Sequence, residues 1–290
     1  MRRRPLPPHG DQRGVALLLV LWACTLLAIL LGGYAALART EGLQARYLFA
    51  QTQAHYAAEA GLMRAVYGLQ DPVVKQRWIG DGRVYSFPYD NAKITLSAID
   101  ESGKVDLNTA TPEVLQALFR ATGMKPAEAQ VLADRVVDWH SPAGPAGEAD
   151  TDRAAYVAAG RDYGPRHGPF VSIEELQMVL GITPALYRQL APVVTIWSGT
   201  ASPNPNTAPP LALAAIPGMT PEQLAAIQAA RARQATDPSL VLGNGTTHSI
   251  QSEATLADGT HAVLRATIRL TGQGGAQPYA VLRWQEGEKE

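Results

Sequence analysis

The chain has 290 residues, 46% of them hydrophobic, enough for one large or two smaller packed domains and too much for a disordered tail. The formal net charge is −1; Arg2, Arg3, Arg4 and Arg13 stand against Asp11 in the first 14 residues, so the remainder is about −4, without a basic block of the size that general nucleic-acid binding needs. Cys24 is the only cysteine, which excludes an internal disulfide and a thiolate metal cluster.

Val15 to Ala38 is a run of 24 residues with no charged side chain. As a helix rising ~1.5 Å per residue it spans ~36 Å, more than the ~30 Å hydrocarbon layer of a bilayer, so it can cross a membrane. Arginines precede it and few basic residues follow, which places the N-terminus in the cytoplasm and the bulk of the chain outside. A secretory signal peptide has a shorter apolar core of about 7 to 15 residues. A plain one-pass anchor is one reading of the run. Beyond it, Leu43, Tyr47, Ala50, Ala54, Ala57 and Gly61 recur at steps of four and three, extending the helix to about Gly68 with one face lined mostly by small residues. Such a face admits a neighbouring helix and serves equally to cover the chain's own sheet.

Arg83 to Pro88 and Ala92 to Asp100 read as strands, the second alternating Ala92, Ile94, Leu96 and Ala98 against Lys93, Thr95 and Ser97. From Leu107 to about Leu190 the period becomes helical, with starts at Thr111-Pro112-Glu113, Lys125-Pro126, Ser172-Ile173-Glu174-Glu175 and Thr183-Pro184, the third fitting a capping box. Val193 to Trp197 is β-like, Ser198 to Pro210 has linker composition, and a helical pair covers Thr207 to Arg233. Two strands follow, His261 to Leu270 and one in which Ala280, Leu282 and Trp284 share a side; Asn244-Gly245 and Asp258-Gly259 read as hairpin turns. The pattern predicts an α+β domain behind the long helix, with a helical domain inserted between strands of its sheet.

The insert contains a repeat. Asn108-Thr109-Ala110, then Leu115, Ala117 and Leu118, matches Asn206-Thr207-Ala208, then Leu213, Ala215 and Ile216, at identical offsets. Each copy leads to a Gly-Met-x-Pro turn, at Gly123 and Gly218, and Gly181 opens a third such turn. These are helix-hairpin-helix units, which in many proteins hold phosphates through turn N–H groups and nearby cations. Here a proline, which has no N–H, follows each glycine by three residues, and no basic cluster surrounds Gly181 or Gly218. Packing or protein docking is the simpler use.

The loop DWHSPAGPAGEADTD places Asp138, Glu148, Asp150 and Asp152 within 15 residues. Calcium takes six to eight oxygen ligands, so this is a candidate calcium site, and a merely solvated acidic loop fits the same composition. His140 and His167 flank it as loop histidines, and no catalytic signature such as His-Glu-x-x-His or Gly-x-Ser-x-Gly occurs.

The junction Gln12-Arg13-Gly14 before VALLLVLW resembles the type IV prepilin class, in which a prepilin peptidase cuts after the glycine. The resemblance implies Gly14 as the last leader residue and Val15 as the mature, N-methylated terminus. That class normally carries Glu at the fifth mature position, where this chain has Leu19. A carboxylate in lipid is costly unless a positive group meets it. In the class the Glu is thought to meet the terminal amine of a neighbouring subunit, and the K-class minor pseudopilins of type II secretion characteristically lack it. The segments DESGKVDLNTATPEVLQALF, GPFVSIEELQMVLGITPALYRQLAPVVTI and NPNTAPPLALAAIPGM are similar to the general secretion pathway protein K family, and the likeness runs from Arg13 to the C-terminal strands.

What the resemblance implies is an α+β pseudopilin fold with a long N-terminal transmembrane helix, an antiparallel sheet and an inserted helical domain of the helix-hairpin-helix (SAM-like) kind. Residues 1–14 are then the leader and 15–70 the helix, with its span at 15–38; 71–102 and 192–290 form the α+β domain, including a second hairpin unit at 204–235, and 103–191 the insert. It further implies a non-enzymatic protein of the inner membrane with a periplasmic bulk, capping a pseudopilus tip with other minor pseudopilins, supporting export across the outer membrane and binding no nucleic acid. Calcium is associated with the family's helical domain, and Glu148 and Asp150 fall on its acidic pattern, whereas His140-Ser141-Pro142 replaces further acids. A minor pilin of a type IV pilus and a membrane-anchored hairpin protein that binds DNA are the alternatives.

Overall fold

The structure, a computed structural model, describes residues 13–142, 148–236, 245–271 and 277–287. The chain divides into two units, residues 1–53 and 54–290, and one continuous helix, α1 (Arg13–Leu69), contributes to both. In the first unit the hydroxyls of Thr25, Thr40 and Thr52 donate to the carbonyls of Trp22, Ala36 and Leu48 one helical turn back, so these polar groups are satisfied within the helix.

In the second unit, the last turns of α1 bury Ala54, Ala57, Ala58, Leu62, Ala65, Val66 and Leu69 against a five-stranded antiparallel sheet. The small-residue face thus covers the chain's own sheet from Ala54 onward, whereas Leu43 and Tyr47 are exposed. Gly61 is the closest approach: a Cβ there would stand 2.2 Å from Ser252 Oγ and 2.8 Å from Ile94 Cγ2.

The sheet runs β1 (Asp81–Tyr89), β2 (Ala92–Asp100), β5 (Thr247–Leu256), β6 (His261–Leu270) and β7 (Tyr279–Gly287), in that spatial order. Alternation on β2 holds as read, with Ala92, Ile94, Leu96 and Ala98 buried, and β6 alternates likewise, Ala262, Leu264, Ala266 and Ile268 standing opposite Ala254, Ser252, Ile250 and His248. On β7 it fails. The register slips between the Arg283–Thr267 and Val281–Ile268 pairs, leaving Leu282 as an extra residue, so Ala280 and Trp284 fall on opposite faces. Asp258-Gly259 forms its hairpin turn, with Gly259 N–H donating to Leu256 O and Gly259 at φ +88°. The reading at Asn244-Gly245 falls partly outside the described residues; Gly245, just before β5, donates its N–H to Asp100 Oδ2.

Between β2 and β5 the chain makes the insert: β3 (Val105–Asp106), α2 (Pro112–Ala121), α3 (Pro126–His140), α4 (Glu148–Ala158), a 3-10 turn over Ile173–Met178, α5 (Pro184–Leu190), β4 (Val194–Thr195), α6 (Pro210–Ala214) and α7 (Pro221–Thr236). Thr111 and Thr183 cap α2 and α5 through their hydroxyls, each followed by proline at the first helical position. The β-like stretch at Val193–Trp197 is a two-residue strand that pairs in parallel with β3, apart from the main sheet.

Three sequence readings change here. Ser172 makes no side-chain cap: Glu175 N–H donates to Ser172 O at 3.3 Å instead, and the segment is a 3-10 turn. Ser198 to Pro210 is packed rather than a linker: Asn204 N–H donates to Ser102 O, Thr111 N–H donates to Ala201 O, and Ala208 is fully buried. The hairpin unit at 204–235, assigned above to the α+β domain, puts Ala208, Ala212, Leu213 and Ala215 into one core with Leu115, Leu118, Val136 and Leu190 of the insert.

Candidate functional site

The features able to do work are the uncovered N-terminal helix and the repeated hairpins. Gly14 and Val15 both lie in the first turn of α1, and Val15 is exposed. Leu19 projects from the same apolar stretch, of which nothing is buried within the chain. A charge-free helix this bare requires lipid or other helices around it. With leucine at position 19 it offers them only apolar surface, and no charge that selects a partner by pairing.

The repeat extends to individual hydrogen bonds. Asp106 Oδ1 accepts Asn108 N–H at 2.9 Å, and Asn204 Oδ1 accepts Asn206 N–H at 3.0 Å. Ala110 N–H donates to Asp106 O at 2.8 Å, as Ala208 N–H does to Asn204 O at 2.9 Å. Each copy therefore opens on the same side-chain-closed turn before its first helix. The hairpin glycines take left-handed backbone, φ +95° at Gly123, +105° at Gly181 and +75° at Gly218, which a side chain would strain.

Phosphate binding would need free N–H groups at these turns. Gly123 and Met124 donate to Arg120 O and Phe119 O, Ile182 to Val179 O, and Met219 to Ile216 O. At the start of α7 Thr220 and Gln223 cap each other, Gln223 N–H to Thr220 Oγ1 and Thr220 N–H to Gln223 Oε1. These donors are spent inside the fold, which suits hairpins that pack.

One node, not anticipated from the sequence, holds the insert together. Trp139, in the last turn of α3, packs against Tyr156, Tyr163 and Phe170, and its Nε1 donates to Glu175 Oε1 at 3.0 Å. Glu175 also accepts Arg166 Nη1 at 3.0 Å and Val171 N–H at 2.9 Å. Burial, the largest single influence, would raise the Glu175 carboxyl; the Val171, Arg166 and Trp139 donors together outweigh it and hold it below the usual carboxylate range. Asn108 adds a second clamp, donating Nδ2 to Phe170 O at 3.1 Å and accepting Phe170 N–H at 2.7 Å. The only sequence signal for either was polar residues beside apolar ones in the segments around Asn108 and Phe170.

The acidic residues are not a single loop. Asp138 lies half-buried in α3, and Glu148, Asp150 and Asp152 open α4, their side chains outside those described. Among the described residues no three His, Cys, Asp or Glu side chains gather as a metal site. His167 has left-handed backbone at φ +54°, and His140 stands half-buried beside Phe170.

Comparison with known proteins fits this architecture. Residues 92–199, from β2 through the insert to β4, match the family model described as type II secretion system (T2SS), protein K. Type II secretion system protein K of Klebsiella pneumoniae is 26% identical over 262 residues, covering 77% of this chain and 75% of that protein. The protein of the same name from Pseudomonas aeruginosa PAO1 is 28% identical over 246 residues, covering 77% and 73%.

Over residues 92–199 the chain is similar to the type II secretion system protein K family.

A solved chain from the crystal structure of the GspK-GspI-GspJ complex of the enterotoxigenic Escherichia coli type 2 secretion system shares the fold, with TM-score 0.54 and 18% identity over 87% of this chain and 99% of that one. The α+β pseudopilin fold read from the sequence therefore holds, and one apolar N-terminal helix suits a single-pass anchor.

Proposed function

We propose that this protein is a minor pseudopilin of a type II secretion system, which sits at the tip of a periplasmic pseudopilus and supports protein export across the outer membrane. The observation that carries the reading is the join of a bare apolar helix to a sheet interrupted between β2 and β5 by a large helical insert. Its partners are other minor pseudopilins, the counterparts of the GspI and GspJ named with the solved relative. The N-terminus is cytoplasmic and the bulk periplasmic, as the leader arginines favour. A prepilin peptidase removes residues 1–14, and Val15 becomes the methylated terminus.

The role is positional and involves no catalytic step. Leu19 takes away the charge pairing that would favour a place in the shaft, and the insert blocks stacking of a further subunit above. The acidic set Asp138, Glu148, Asp150 and Asp152 is proposed to take calcium, supported by four carboxylates within 15 residues. Purification of the assembled fibre tests the reading. The protein should co-purify with the other minor pseudopilins in far fewer copies than the major subunit; abundance comparable to the major subunit, along the whole fibre, would overturn it.

A further inference from the structure

The points where the chain leaves and rejoins the main sheet are neighbours. Asp100, the last residue of β2, stands opposite His248, the second residue of β5. Both face the core, 1% and 0% exposed. The Asp100 carboxylate ties down both ends of the insert: Oδ1 accepts Ser102 N–H at 2.9 Å on the departing side, and Oδ2 accepts Gly245 N–H at 2.7 Å on the returning side.

Among the described residues, neither ring nitrogen of His248 is bonded to a protein group. The backbone closes over its ring at Gly80, where a Cβ would lie 2.9 Å from Cδ2 and 3.2 Å from Nε2. On β6 its neighbour is the apolar Ile268. The charged groups acting on the ring are Asp100 and Glu101, the latter paired with Lys104 at 2.7 Å; Arg269 reaches Thr247, whose side chain points to the other face of β5. A neutral imidazole has one N–H to place, whereas an imidazolium has two and a charge. The nearest carboxylates able to meet them are already committed.

We infer that His248 is an acid-sensitive latch on the neck of the insert: the proton it takes up is accommodated by drawing Asp100 from Ser102 and Gly245, which frees both ends of the insert from the sheet. Burial holds the imidazole below its ordinary range, against the pull of the two carboxylates. Between that lowered value and about 6.5, the open neck binds more protons than the closed one, so closure weakens as pH falls through this window. One unit below 6.5, the opening equilibrium is raised by at most about tenfold.

Hydrogen exchange of the full chain in detergent micelles, at pH 7.5 and 5.5 and corrected for intrinsic rates, reads this directly. Peptides spanning 101–105 and 245–250 should lose protection on acidification, by up to about tenfold, and 263–268 within β6 should not. His248→Gln should abolish the loss. An unchanged wild type, or an equal loss in the variant, overturns the latch. Should the variant fail to fold, the wild-type His248 Cε1 proton resonance decides: a titration midpoint below about 6.5 supports the latch, and one at or above it overturns it.

Discussion

Replacing Gly61 with alanine probes the seam between α1 and the sheet. The new Cβ would stand 2.2 Å from Ser252 Oγ and 2.8 Å from Ile94 Cγ2, so the serine must rotate and the isoleucine must shift. Overpacking costs about 1–3 kcal/mol, and contacts this short take the upper part of that range, about 2–3 kcal/mol; removing a glycine from a helix returns about 1 kcal/mol, for a net loss of ~1–2 kcal/mol. At this domain size that is a fall in Tm of roughly 2–8 °C. Ser252 Oγ is buried and has no partner among the described residues, so Ser252→Ala alone should be neutral or slightly stabilising. The same change leaves the serine's own Cβ 3.4 Å from the new methyl, an ordinary contact, and should rescue Gly61→Ala by about 1 kcal/mol in a double-mutant cycle. Thermal unfolding of the four proteins in detergent micelles, followed by tryptophan emission, supplies the cycle. Wild-type stability in Gly61→Ala, or strict additivity in the pair, would refute the account of this interface.

Three further outcomes follow from the insert. Asn108→Ala removes both bonds to Phe170 and should cost about 1–3 kcal/mol in chemical denaturation, whereas Asn206→Ala, at the matching place in the second copy, should stay within about 0.5 kcal/mol. Because Glu175 is held below its unfolded value, its contribution is present above about pH 4.3 and is lost as pH falls through the lowered value; Glu175→Gln should flatten that part of a stability-against-pH curve. If the acidic set takes calcium, millimolar Ca²⁺ should raise the melting temperature of the full chain, and absence of a shift would count against a specific site.

Periodicity made the strongest elements legible. A charge-free run of 24 residues can be little other than a membrane-competent helix, and the alternation on β2 and β6 survives because their inner faces are apolar apart from Asp100 at the end of β2. The inner face of β5 carries His248 and Ser252 among Ile250, Ala254 and Leu256, so its pattern is broken by residues that the geometry of Gly80 and Gly61 admits. The extra residue in β7 flips the alternation mid-strand, a change that composition does not announce. Ser198 to Pro210 has the composition of a linker, yet its polar groups bond to the insert and Ala208 enters the core. The Asn-Thr-Ala repeat was legible as spacing, and its meaning as a shared turn needed the bonds from Asp106 and Asn204. The Trp139–Glu175 node joins residues 36 positions apart, a separation that local pattern does not encode.

The assignment rests most directly on where the mature chain begins. Intact-mass analysis of the protein from assembled complexes should find residues 1–14 removed and Val15 carrying one methyl group, and substitution of Gly14 should leave the leader attached. A chain that still begins at Met1 in the assembled complex would contradict it.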